Sequence, residues 1–102
     1  KGKTMIKRET IKKSEQVKLT FIQPYDSTQP KVSVVGDFNG WDPTVAPLIK
    51  RNNGTASVSV TLPMGKRIRF RYVTQDNQWF NDETADAYEP SEHGSENCVV
   101  EI

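Results

Sequence analysis

What most constrains this chain is a repeated alternation of apolar and polar residues in short runs, each ended by a turn signal. Val17, Leu19 and Phe21 alternate with Lys18 and Thr20 and stop at Pro24. Ala56, Val58, Val60 and Leu62 alternate with small hydroxyl residues between Asn52-Asn53-Gly54 and Pro63-Met64-Gly65. Ile68, Phe70 and Tyr72 point one way while Arg67, Arg69 and Arg71 point the other. A period of two is that of a half-buried strand. Val32 to Val35 reads as a more continuously apolar strand, and Asp76-Asn77 turns into Gln78-Trp79-Phe80. A polar loop from Asn81 to Glu96 then leads to a last strand, Asn97 to Ile102. No window of a dozen residues has the i, i+3, i+4, i+7 pattern of an amphipathic helix, and Asp82 to Tyr88 has room for one helical turn at most. Strands spaced roughly ten residues apart, with Gly, Pro and Asn between them, predict an all-β antiparallel sandwich.

At 102 residues the chain is one domain with one modest core. A formal net charge of +1 gives no global attraction to nucleic acid or to an anionic membrane. The charges are unevenly placed. KGKTMIKRETIKK at the start holds a cluster of Lys and Arg against a single Glu, and Asp and Glu gather between Asp76 and Glu96. Residues 1–14 read as a basic, mobile tail, although Thr4 to Lys12 could dock as an edge strand; residues 15–102 read as the sandwich. The single cysteine, Cys98, forms no internal disulfide, and no Cys/His spacing suits a metal. Neither metal nor cofactor is expected. No apolar run approaches the ~18–20 residues of a membrane span, and the basic start lacks a secretory apolar region. The expected compartment is the cytoplasm, and the expected state is a monomer with no membrane or nucleic-acid partner.

The stretch VSVVGDFNGWDP starts as a strand and then breaks, yet its broken half carries Phe38 and Trp41. Trp79 also stands beside turn residues. A tryptophan near a strand end is commonly a core plug, and Phe38 is expected to be one. The alternative is a carbohydrate platform. A glucose ring has an apolar C–H face and a rim of hydroxyls, so it is read by a flat aromatic ring with planar polar groups around it.

The segment KVSVVGDFNGWDPTVAPL, Lys31 to Leu48, resembles carbohydrate-binding module family 48. These are the glycogen- and starch-binding early-set domains found at the N-terminus of glycogen branching enzymes and isoamylases, and in the β subunit of AMP-activated protein kinase. Gly36, Phe38, Asn39, Trp41, Pro47 and Leu48 match the family's Gly-x-Phe-Asn-x-Trp and Pro-Leu pattern. Leu62-Pro63-Met64-Gly65, Phe70-Arg71-Tyr72-Val73 with Trp79, and the closing Gly94-x-x-Asn97 follow in the family's order. The resemblance covers about Val17 to Ile102. It implies an immunoglobulin-like early-set sandwich that binds α-1,4-glucan without catalysis. Carried over residue by residue, it implies that Trp41 and Trp79 form the platform and that Arg71, Ser95 and Asn97 bond to sugar hydroxyls. Arg71 stands where the family often has Lys. The chain also departs from the pattern near His93, where the kinase subunit has an apolar residue.

Three other readings compete with this one. Glycoside hydrolysis needs two carboxylates across a cleft, and Asp37, Asp42, Asp82 and Glu83 supply carboxylates, but a single thin core supplies no deep cleft. Asp37 and Asp42 more simply shape the turn. Nucleic acid could use the stripe of Arg67, Arg69 and Arg71, unless acidic residues on a neighbouring strand pair with it. The third rival is the same sandwich without a working sugar site, serving as a scaffold beside a glucan-active enzyme domain or partner.

Overall fold

The computed structural model describes residues 5–25, 28, 30–51, 53–91 and 95–102. Among these residues there are strands and no helix. In chain order they are β1 (Met5–Ile11), β2 (Gln16–Pro24), β3 (Val32–Gly36), β4 (Ile49–Lys50), β5 (Thr55–Pro63), β6 (Arg67–Thr74), β7 (Trp79–Phe80), β8 (Ala87–Pro90) and β9 (Glu96–Glu101). One sheet has the order β1-β2-β5-β4, and the other β3-β6-β9-β8, with β7 also pairing with β6. Every pairing is antiparallel. The two sheets form an immunoglobulin-like sandwich.

Alternation decides which side chains meet between the sheets. Leu19 pairs with Val60 and Phe21 with Val58, so both strands turn the same apolar row inward. In the second sheet Tyr72 pairs with Val34 and Phe70 with Cys98, and all four are fully buried. Phe21 is the hub. Its ring lies 4.9 Å from Phe70, meets Tyr72 edge-on at 6.4 Å, and is stacked by Phe38 at 6.1 Å. Such aromatic pairs add about 1 kcal/mol each beyond the area they bury. Phe38 is half-buried and closes the core from the turn after β3, the plug expected of it.

Two segments differ from the expectation. The basic start is a strand from Met5 to Ile11, paired with β2 along its whole length. Ile6 reaches the core, and Arg8, on the same inward row, reaches across to Asp86 at 2.6 Å. Charge density marked this segment as a tail, but one apolar residue and a chain edge to pair with are enough for an edge strand. The Asn81–Glu96 segment is also not all loop, because β8 pairs with β9 through Ala87, Tyr88, Glu89 and Pro90. Four residues ending in proline are too few to show a period. Among the described residues no helix is long and apolar enough to cross a membrane.

Candidate functional site

The turn after β3 is built by its own sequence. A Cβ on Gly36 would stand 2.3 Å from the Arg69 carbonyl and 2.7 Å from the Phe38 ring, so only glycine fits there. The Asn39 side chain closes the turn at both ends: Oδ1 accepts the Gly36 N–H at 3.0 Å and Nδ2 donates to the Val34 carbonyl at 3.1 Å. The backbone then takes two successive left-handed residues, Gly40 at φ 67° and Trp41 at φ 60°. For Trp41 that conformation costs roughly 1–2 kcal/mol. The Trp41 N–H is held by the Gly36 carbonyl at 2.9 Å, and the indole is half-buried. Asp42 Oδ1 accepts from the Thr44 hydroxyl and N–H, which hold its pKa below the ordinary value. The chain then returns to β3 through the Ser33–Pro47 bridge and buries Ala46 and Leu48.

The outer face of the second sheet carries the arginine stripe, and its three members have different partners. Arg67 pairs with Glu89 and Glu101. Arg69 bonds to Glu89 at 2.7 Å and lies 3.9 Å from Asp37, which also accepts the Arg69 N–H. These carboxylates neutralise the positive potential that a phosphate backbone would need. Arg71 differs: among the described residues no carboxylate forms an ion pair with it. Its Nε donates to Asn81 Oδ1 at 2.8 Å, its Nη1 donates to Ser95 Oγ at 3.0 Å, and its guanidinium lies 5.6 Å from the Trp79 ring centre. Between these polar groups the same face is lined by valines. By alternation Val35, Val73 and Val99 point outward, yet all are buried, so neighbouring side chains cover them. Val73 pairs directly with Trp79, and Val35 with Arg71.

The structure therefore gathers Arg71, Trp79 and Ser95 into one cluster. Trp79 is 43% exposed and presents its ring to solvent. Asn97 lies on the same face of β9, one residue beyond the last β6–β9 pair, Phe70 with Cys98. Trp41 is not in that cluster by any hydrogen bond or ring contact among the described residues: it follows β3, which pairs along one edge of β6 while β7 and β9 share the other. His93 and Gly94 lie outside the described residues.

Asn81 was not singled out from the sequence, and Asp82 was considered there only as a spare carboxylate. Asn81 accepts from Arg71 and donates through Nδ2 to the Glu96 carbonyl at 3.0 Å, so it ties the arginine to the start of β9. Carrying the period of two past Trp79 would have found it, because Trp79 and Asn81 then share the outer face while Phe80 and Asp82 share the inner one. Asp82 is 1% exposed. It accepts from Tyr72 Oη at 2.6 Å and from the Thr84 hydroxyl and N–H, while its own N–H meets Cys98 Sγ. Burial first, then the adjacent Asp82 charge, pushes the Tyr72 phenol far above its usual pKa, and burial lifts the Cys98 thiol to about 11. Asp42 and Asp82 are thus both committed to local structure. Of the two acids expected to shape the turn, Asp42 does so; Asp37 instead binds Arg69.

The sequence matches carbohydrate-binding module 48 (isoamylase N-terminal domain) over residues 10–89. No curated protein matches it significantly. The match spans the Gly36–Trp41 turn, the arginine strand and Trp79, where the glycine, asparagine and aromatic residues have the structural roles just described. This chain belongs to the carbohydrate-binding module 48 family.

Proposed function

We propose that this domain binds α-1,4-linked glucan, such as glycogen, starch or maltooligosaccharide, on the outer face of its second sheet, as a non-catalytic targeting module for a glucan-active enzyme domain. Trp79 and Trp41 supply the apolar surfaces for the pyranose faces, and Arg71, Ser95 and Asn97 supply the polar rim. The observation that carries this reading is the position of Arg71. It alone of the stripe is held by neutral partners, Asn81 and Ser95, beside an exposed indole. An arginine without a carboxylate keeps donors for a neutral, hydroxyl-rich ligand, and a charged partner would compete for them. The left-handed Trp41 adds support, since backbone strain of this kind gathers at binding sites.

Each stack contributes on the order of 1 kcal/mol, and the rim hydrogen bonds compete with water, so affinity falls in the micromolar to millimolar range. Titration with maltoheptaose or β-cyclodextrin, followed by amide and indole NMR shifts, tests the reading. Saturable shifts centred on Trp41, Arg71, Trp79, Ser95 and Asn97 support it. No response at millimolar sugar removes it in favour of a scaffold without a sugar site.

A further inference from the structure

The sheets end in β1, β4, β3 and β8, and three of these end strands are short or covered. β4 has two residues, and β8 has four, the last a proline without an N–H. The free edge of β3 is taken by the chain returning from the turn: the Val34 N–H bonds to the Ala46 carbonyl, and the Leu48 N–H to the Val32 carbonyl. β1 differs. It runs seven residues and pairs with β2 along one edge, and among the described residues nothing pairs with the other. That open row of N–H and C=O groups is a template for another strand.

The order of residues in β1 fits a second copy of itself. When identical strands meet antiparallel along the same edge, facing residues turn their backbone groups both toward the other chain or both away. Their numbers therefore sum to an even value, and the two-fold axis passes through a residue. Centred on Arg8, the whole strand pairs: Met5 with the partner's Ile11, Ile6 with the partner's Thr10, and Lys7 with the partner's Glu9, each in both directions. Moving the centre one residue shortens the ladder and sets Lys7 against Lys7 or Glu9 against Glu9, like charges directly opposite. Charges commonly guard an edge against pairing. Here their order favours one register. On the axis Arg8 meets the partner's Arg8, and each keeps its own counter-charge, Asp86 at 2.6 Å. The same register covers Met5, 47% exposed, with Ile11, 36% exposed.

We propose that β1 is a dimerisation edge, joining two copies of this chain through an antiparallel β1–β1 pair centred on Arg8. The monomer expected from the sequence is, on this proposal, one half of a symmetric assembly. The two first sheets merge into one continuous sheet. A two-fold axis through such a strand pair stands perpendicular to the sheet, so both second sheets lie on one side of it. Their outer faces, with Arg71 and Trp79, then point the same way. If that face binds glucan as proposed above, the dimer engages it at two sites and gains avidity; the pairing itself does not depend on sugar.

Sedimentation equilibrium of the whole chain from about 10 μM to about 1 mM, at low salt, is expected to show monomer–dimer exchange with a Kd on the order of 100 μM, as suits a small interface. Backbone amides of residues 5–11 are expected to shift on dilution. Lys7→Glu and Glu9→Lys each set like charges opposite one another twice, so each is expected to dimerise about tenfold more weakly. Mixing the two variants restores both opposite-charge pairs and is expected to recover the dimer to within about threefold of the unaltered protein. The proposal is overturned by a monomer at about 1 mM, which leaves the edge to a different chain, by a larger open assembly, by dilution shifts that fall outside β1, or by no rescue when two folded variants are mixed. The dilution series uses the unaltered protein and so stands even if Glu9→Lys, set opposite Lys18, does not fold.

Discussion

The Arg71 guanidinium lies 5.6 Å from the centre of the Trp79 indole, and Asn81 and Ser95 hold it there. The arrangement depends on a planar fork. An ammonium carries its three donors on one nitrogen and has no planar face, so it cannot span Asn81 and Ser95 while stacking against the ring. Arg71→Lys is therefore expected to weaken maltoheptaose binding about fivefold, and Trp79→Ala about tenfold. Because Trp79 is 43% exposed and lies on a two-residue strand, its removal is expected to shift unfolding free energy by about 1 kcal/mol. Calorimetric titration beside urea unfolding checks both, and equal losses of binding and stability would count against a binding role.

Gly36 and Gly40 should respond differently to the same substitution. Gly36→Ala places a methyl 2.3 Å from the Arg69 carbonyl, in the middle of a paired strand. The expected loss is roughly 2–4 kcal/mol, from the strand shift that the methyl forces. Gly40→Ala meets open space and suffers only from its φ of 67°, for about 1 kcal/mol. Urea midpoints of the two variants separate steric from conformational cost.

The buried acceptor set of Asp82 predicts a graded series. Tyr72→Phe removes one donor to Oδ2, for about 1–3 kcal/mol. Asp82→Ala strips the acceptor from Tyr72 and Thr84 together, for about 3 kcal/mol or more. A double variant no worse than Asp82→Ala alone would show that the two groups act as one unit.

Acid should weaken the sheet at Glu89. The Arg67 hydrogen bond, then that of Arg69, holds its carboxyl below the ordinary 4.5. A depressed folded-state pKa means that the stabilisation is complete above the unfolded value and is lost as pH falls through the folded one. The unaltered protein is therefore expected to lose melting temperature below about pH 4.5 more steeply than Glu89→Gln, which forgoes the stabilisation at neutral pH. Parallel slopes in a thermal melt series from pH 7 to pH 3 would contradict this role.

The sequence alone determined whatever depends on local period and turn chemistry. The inward rows of β2, β5 and β6 were legible because a strand has only two faces, and one of them must leave water. The Gly36–Trp41 turn was legible because Gly, Asn and a second Gly answer constraints within six residues of each other. Partnership across the sheet was not legible. That Glu89 and Glu101 would claim Arg67, that Glu89 and Asp37 would take Arg69, and that Arg71 would be left to Asn81, Ser95 and Trp79 follows from the β6–β9–β8 register and the β3 edge. Three arginines at equal spacing look alike in a sequence, and only the strands laid beside them give each a different electrostatic fate. The same holds for Asp82, whose significance lies in burial. Burial is a property of two sheets meeting, and no single strand carries it.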